Sequence, residues 1–577
     1  MNITALSSTA QNSTTTDAPS QDAAHQQWWR DAVVYQVYPR SFADSDGDGM
    51  GDLPGITARL EHIAELGADA IWLSPFYTSP QNDGGYDVAD YEDVDPRFGT
   101  LADADALIAR AHELGLKVIV DIVPNHSSSE HVLFQKALEA APGSPERDMY
   151  MFREGRGQDG ELPPNNWQSI FHGDAWTRVT EADGTPGQWY LHLFDTTQPD
   201  FNWENPAVHE LFAGVLRFWL DRGADGFRVD VAHGMVKPEG LPDSPVDSEG
   251  MAVVPQGEVP VYFDNDGVHA IYREWRAILD EYPGDRMMVG EAWIPEPSMP
   301  KYVRPDEMHQ VFNFGYLQSR WDVDAFRHAI AEPLRLADEV GAPTTWVLSN
   351  HDVIRHATRY GFGPEHRFGE GLSRDEHPDA ELGLARARAA TLLMLALPGS
   401  AYLYQGEELG LPEVADIPDE LREDPAHKRA GVPGRDGCRV PIPWEGDAPA
   451  YGFSPTGNSW LPQPVVFGEL AADRQRGVAG STLELYREAL RLRRELRLGA
   501  HRPGDEVTFV DGVPEGVLAV QHGEVIVVVN TTAQPVQLST LPGPAGGDRP
   551  APVLLASSAV QDGRLPADAA AWLRVRL

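Results

Sequence analysis

Apolar residues along the chain follow two alternating periods. Short runs rich in β-branched and aromatic residues begin at Val33, Ala68, Lys117, Ala224, Met287, Val311, Thr344 and Ser400. Their nearly continuous apolar character suits strands buried on both faces of a parallel sheet. Between several of them the spacing becomes helical. Ile56, Leu60, Ile63 and Leu66 share one helix face, and Leu101 to Gly115 follows the same plan, with Gly115 as its C-cap. Eight strands in this alternation predict an α/β fold, a (β/α)8 TIM barrel.

The rhythm is interrupted. A stretch rich in Pro, Gly, Asn and Trp separates the third strand from the fourth, too long for a simple loop and read as an inserted subdomain. Further insertions run from about Gly234 to Phe263 and from about Leu411 to Gly468. The helix at Ser481 opens with a capping-box pattern, Ser481 and Glu484. Beyond it the period becomes that of strands: EVTFV, GVLAVQ, EVIVVVN and WLRVRL, the last alternating Leu573, Val575 and Leu577 with Arg574 and Arg576. The expected organisation is a tail (1–27), a barrel in two parts (28–126 and 196–502), an inserted domain (127–195) and a C-terminal antiparallel β domain (503–577).

Charge narrows the partners. Lys and Arg number 46 against 88 Asp and Glu, a net charge of −42. Such a surface repels phosphate backbones and anionic lipid, so nucleic acid and membranes are not expected partners. The single cysteine, Cys438, excludes an intrachain disulfide and fits a reducing cytosol. No apolar stretch approaches the ~20 residues of a membrane span, and the Ser/Thr-rich N-terminus does not read as a signal peptide. A cytoplasmic protein, monomer or homodimer, is expected.

In a barrel of this kind the site lies at the C-terminal ends of the strands. Asp230 ends the fourth strand, Glu291 the fifth, and Asp352 follows the seventh. Arg228 shares a strand face with Asp230. His126 follows the third strand, and His351 precedes Asp352. Converging carboxylates serve glycoside hydrolysis or hold a divalent metal. Two widely separated histidines keep the metal reading open but weaker. Trp72, Tyr86, Phe171, Trp176 and Trp203, near strand ends or in the insertions, offer faces for sugar rings.

DIVPNH (Asp121–His126), GFRVDV (Gly226–Val231), GEAW (Gly290–Trp293) and LSNHD (Leu348–Asp352) resemble, in order, the four signature blocks of the α-amylase family, glycoside hydrolase family 13. QPDFNW (Gln198–Trp203) resembles the block of its oligo-1,6-glucosidase and α-glucosidase branch. NDGGYDV, PPNNWQSIF, GQWYLHLF, YQGEELGL and GRDGCRVPIPW add to that match. The resemblance implies an exo-acting, retaining α-glucosidase that acts on small neutral α-glucosides. Asp230 would be the nucleophile, held ionised by Arg228. Glu291 would be the acid and base, its pKa raised by burial and nearby charge. Asp352 would bind hydroxyls and favour the distorted ring. His126 and His351 would bind the same glucose, Tyr86 would stack on it, and Phe171 would join the binding residues. Asp83 and Arg439 would grip the non-reducing end and close the pocket. A retaining mechanism places the Asp230 and Glu291 carboxyls ~5–5.5 Å apart. Val231, next to the nucleophile, leans toward tolerance of α-1,6 beside α-1,4 links. Transglucosylation through the same intermediate is the alternative. A non-catalytic protein on this scaffold is the remote one, disfavoured because all three carboxylates remain.

DSDGDGMGD (Asp44–Asp52) places Asp at positions 1, 3, 5 and 9 and Gly at 6, like the first part of an EF-hand loop. Position 12 is Gly55 rather than Glu, and no EF helix precedes the loop. The family has a Ca²⁺ or Mg²⁺ loop here. One structural divalent cation is expected, on Asp44, Asp46, Asp48, the Met50 carbonyl and Asp52. Cys438, beside Arg439, is read as a passive loop residue.

Overall fold

The structure, a computed structural model, describes residues 27–181, 183–246, 259–363, 371–500, 506–541 and 552–575. The expected tail before Gln27, the strand-end residues Arg576 and Leu577, and part of the Gly234–Phe263 insertion lie outside these.

Eight parallel strands form the core: β1 (Val33–Val37), β2 (Ala70–Leu73), β3 (Lys117–Ile122), β4 (Gly226–Val229), β5 (Met287–Gly290), β6 (Gln310–Val311), β7 (Thr345–Val347) and β8 (Ser400–Tyr404). They pair in the order β6-β5-β4-β3-β2-β1-β8-β7, and a parallel bridge from Phe312 to Thr345 joins the ends. This is the (β/α)8 barrel that the periodicity predicts.

Strand parity then decides what faces where. Val33, Tyr35 and Val37 of β1, Val118, Val120 and Ile122 of β3, and Phe227 and Val229 of β4 pack under the helices. Val34, Ile119, Met287, Val289 and Val347 belong to a separate interior cluster with Trp72 and Tyr402. Asp121 and Arg228 share the interior parity, and Asp230 and Glu291 continue it one residue past β4 and β5. The alternation that builds the core thus also aims these polar side chains at the barrel axis.

The helices have sequence-legible ends. Helix α1 (Leu53–Leu66) buries Ile56, Leu60, Ile63 and Leu66 and stops at Gly67, whose φ of 102° suits a residue without Cβ. Helix α2 (Leu101–Glu113) has a full capping box from Thr100 and Asp103. The helix at Thr482–Glu495 has half of one. Ser481 accepts from the Glu484 amide, but the Glu484 carboxylate turns to the Gly477 amide instead.

Between β3 and β4 lie a helix at Val132–Glu139 and a three-stranded antiparallel sheet (Phe152–Arg153, Trp176–Thr180, Pro186–Leu191). After the last barrel helix comes an antiparallel sheet of Thr508–Phe509, Val517–His522, Val525–Asn530, Ala569–Arg574 and Val553–Ala556. The in–out alternation of the last strand holds from Leu573 to Val575. Leu573 and Val575 face one apolar cluster and Arg574 is exposed, but Trp572 on the opposite face is fully buried against the barrel. Its indole donates to the Leu392 carbonyl at 2.8 Å. Among the described residues no helix is long and apolar enough to cross a membrane.

Candidate active site

A pocket opens at the C-terminal end of the barrel. Asp230, Glu291 and Asp352 line it together with Asp83, Tyr86, His126, Phe171 and His351. Arg228 lies beneath, fully buried, and binds three carboxylates. It donates to Asp121 at 2.9 Å and to Asp230 at 2.6 Å, and its other terminal nitrogen reaches Glu291 at 3.3 Å. Trp72 lies under the same guanidinium, 5.1 Å from ring centre to Cζ. The Trp72 indole and the Tyr86 hydroxyl both donate to Asp121 at 3.1 Å.

One guanidinium cannot neutralise three buried carboxylates. Burial, together with the charges of Glu291, Asp121 and Asp352, outweighs Arg228 and pushes Asp230 well above the usual carboxylate range. This runs against the expectation that Arg228 holds Asp230 ionised. Burial likewise pushes Asp121 up to about 6. The cluster therefore retains a proton more readily than exposed carboxyls would.

Glu291 is oriented by its neighbours. The Trp293 indole donates to one oxygen at 2.8 Å, and the Val231 amide donates to the other at 2.8 Å. That amide is aimed by an unusual backbone: Val231 has φ 45°, a region β-branched residues avoid. Strain here is local and coincides with the carboxylate it serves.

Asp352 stands in a different field. Burial raises its pKa, but His351, Arg435, Arg439 and Arg228 outweigh burial and hold the carboxyl well below the usual range. Arg435 donates to Asp352 at 2.9 Å and to Asp83 at 2.6 Å. The pairing with Asp83 expected of Arg439 is thus made by Arg435, four residues earlier. Arg439 lies behind the wall, donating to the His351 carbonyl at 2.8 Å and to Asp352 at 3.0 Å. Gln198 occupies the second oxygen of Asp83 at 3.0 Å. Arg435 is itself held by Asp424, which accepts from Nε at 2.5 Å and from the backbone amide at 3.0 Å. Its guanidinium covers Phe171 at 4.9 Å.

His126 and His351 are neutral near pH 7. Burial lowers His126 to about 4 and His351 well below its ordinary value. Tyr86 stacks on His351, ring centres 5.1 Å apart and 8° from parallel.

Sequence reasoning missed Arg435, Asp121, Gln198, His233, Phe194, Phe263 and Trp293. Five of these lay inside quoted motifs, where block membership was visible but geometry was not. Conversely, three expected aromatics are packing residues. Trp72 supports Arg228, the Trp176 indole donates to Asn165 at 2.7 Å, and Trp203 stacks on Phe212.

At the Asp44–Asp52 loop, Asp44, Asp46 and Asp48 bring one oxygen each within 4.8 Å of one another. Gly47 and Gly49, with φ of 89° and 101°, allow the loop to curl, and their amides donate to Asp44. Met50 follows, its amide donating to Asp48. Asp52, also expected among the ligands, is not one of these three. One oxygen caps α1 through the Gly55 amide, and the other accepts twice from Ser45. Three gathered carboxylates fit a hard divalent cation, which would relieve their repulsion.

The alpha-amylase catalytic-domain pattern matches residues 36–499. A probable alpha-glucosidase of Rhizobium meliloti (strain 1021) is 40% identical over 482 residues, covering 81% of this chain and 82% of that protein. An oligo-1,6-glucosidase of Parageobacillus thermoglucosidasius is 34% identical, covering 81% and 84%. The solved structure of an alpha-glucosyl transfer enzyme, XgtA, superposes with a TM-score of 0.80 at 35% identity, covering 95% of this chain and all of that one. With the barrel, the pocket and the ordered blocks inside one such match, the chain belongs to the alpha-amylase family.

Proposed function

We propose that the protein is an exo-acting, retaining α-glucosidase. One observation carries the reading: Arg435 ties Asp83 to Asp352 across one end of the pocket that holds Asp230 and Glu291. A pocket blocked there accepts a chain end and excludes a passing chain. The relatives named above as glucosidases support the same reading.

Asp230 attacks the anomeric carbon while Glu291 gives its proton to the departing oxygen. The product is a β-glucosyl ester on Asp230. Glu291, now a carboxylate, takes a proton from water, whose oxygen attacks the anomeric carbon and frees Asp230. Arg228 is closer to Asp230 than to Glu291, at 2.6 against 3.3 Å, so it lies nearer the carboxylate that must attack as an anion. That one guanidinium spans both carboxylates supports the closer, retaining spacing. Asp352, held ionised, faces the positive charge that develops on the ring, and neutral His126 and His351 bind hydroxyls.

An alcohol in place of water gives transfer, and the likeness to an alpha-glucosyl transfer enzyme supports that second reading. The domain division read from the sequence stands with this proposal: 28–126 with 196–502 as the barrel, 127–195 inserted, 503–577 last. A structural Ca²⁺ or Mg²⁺ on Asp44, Asp46 and Asp48 would pin the loop ahead of α1. A cytoplasmic setting fits the single buried thiol.

The test is an NMR time course with maltose and isomaltose in separate tubes. α-Glucose should appear first. β-Glucose first, or no turnover, would reject the reading. New α-glucosidic signals outpacing glucose would favour transfer.

A further inference from the structure

His351 stacks on two tyrosines. Its ring lies 8° from parallel to Tyr86 with centres 5.1 Å apart, and 21° from parallel to Tyr38 at 5.8 Å. Stacking fixes the ring plane but not which nitrogen carries the proton. Nε2 lies 3.2 Å from the Asp352 carboxylate. The contact lacks the alignment of a full hydrogen bond, so the attraction is that of a charge for an N–H dipole. An ionised carboxylate only accepts, and a bare Nε2 lone pair beside it would repel it. Burial, with Arg439, Arg228 and Arg435, outweighs Asp352 and keeps the ring neutral, with a single proton. That proton therefore belongs on Nε2, and Nδ1 is an acceptor.

The partner of Nδ1 is Gln36, at 2.8 Å. Gln36 follows Val34 on the interior parity of β1 and is 1% exposed. An acceptor needs a donor, so the amide nitrogen faces Nδ1. The same nitrogen donates to Ser74 Oγ at 3.2 Å. Both amide protons are thereby used, while the amide oxygen is buried without a partner among the described residues. An amide turned the other way would set its oxygen against Nδ1 and draw the proton to that side.

Resting on the glucosidase reading, we propose that Gln36 is a positioning residue: its amide holds the His351 proton on Nε2, so that the ring presents an N–H to Asp352 and keeps that carboxylate aimed at the sugar. Gln36 is not among the residues that line the pocket. It acts through His351. A wrong tautomer is costly because a donor becomes an acceptor with no change of shape.

Two substitutions separate this role from packing. Gln36→Leu removes the donor and keeps the bulk. Gln36→Glu keeps the shape and, while protonated, can still donate to Nδ1. Once ionised it only accepts, so the ring proton moves to Nδ1 and Nε2 turns a lone pair on Asp352. Asp352, Arg228, Arg435 and Arg439 surround the ring in all three proteins, so a new ionisation belongs to residue 36 and its histidine. Between pH 5 and pH 9, kcat/KM for maltose in Gln36→Glu should fall about tenfold further than in wild type as pH rises. Gln36→Leu should lose about tenfold or less, equally at every pH. NMR of protein carrying ¹⁵N-labelled histidine, with the His351 signal identified by its loss in His351→Gln, should place the wild-type proton on Nε2. In Gln36→Glu it should move to Nδ1 at the alkaline end. A wild-type proton on Nδ1, or a Gln36→Glu profile parallel to wild type, would overturn the proposal. Wild type inert on maltose, with Nε2 protonated, would instead reject the glucosidase reading and with it the role in the reaction.

Discussion

On the Asp352 side of the pocket, recognition is built from compensated charge. Asp83 and Asp352 share Arg435, and each has a further partner in Gln198 or Arg439. On the Glu291 side the wall is Val231, Phe263, Trp293 and the His233 imidazole. The first half is rigid because displacing any member strands another charge away from water. The second offers mainly apolar contact, which discriminates weakly between similar shapes. The difference teaches how one pocket can be strict about the sugar it cleaves and lenient about what that sugar is attached to.

The comparison can be broken first at the carboxylate both halves share. Asp230→Asn should lower kcat by at least about 10⁴-fold with both maltose and an aryl glucoside. Near-normal turnover in a folded variant, checked by circular dichroism, would remove Asp230 from the chemistry.

Arg435→Leu tests the charged half alone. It leaves Asp83, Asp352 and Asp424 without their shared cation, and kcat/KM should fall about 10²–10³-fold for every α-glucoside. A loss confined to one leaving group would show that the halves are not separate.

Val231→Thr probes the apolar half with a residue of the same shape, so the strained backbone should survive. The isomaltose-to-maltose ratio of kcat/KM should fall a few-fold, about 1 kcal/mol or less. An unchanged ratio would remove Val231 from linkage choice.

Chelation reaches neither half directly. It should lower the melting temperature by a few degrees, about 1 kcal/mol for a chain this long, with the initial rate at room temperature preserved. Immediate loss of rate in folded protein would place a cation in the chemistry.

The smallest effect lies behind the site. Burial pushes Glu407 up to about 8 and Glu413 up to about 7. Folding therefore takes up protons between the ordinary carboxylate range and pH 8. Their contribution is full below that range and is lost as pH rises through 7 and 8. Glu407→Gln should gain on wild type between pH 5 and pH 8 in urea melts. Parallel curves would contradict that sign.

Much of this was legible in the chain. All eight barrel strands lie in runs whose apolar character is local, because a strand buried on both faces needs it along its whole length. The catalytic blocks were legible because each is a few contiguous residues. Partnership was not. Arg435 and Arg439 flank the same GRDGCRVP turn, and no one-dimensional spacing says which reaches Asp83. Trp176 and Trp203 read as sugar platforms until packing placed their rings inside. Asp52 fitted an EF-hand count, and the chain did not show that one of its oxygens also caps α1.

The sequence by itself determined the barrel, its strand parity and the residue types at the strand ends, since periodicity and short motifs are properties of neighbours in the chain. The tertiary structure alone decided which cation compensates which carboxylate and which aromatics line the pocket. Asp83 and Arg435 lie more than three hundred residues apart, yet their charges meet at 2.6 Å. Such interactions depend on distance through space, and only the closed barrel sets that distance.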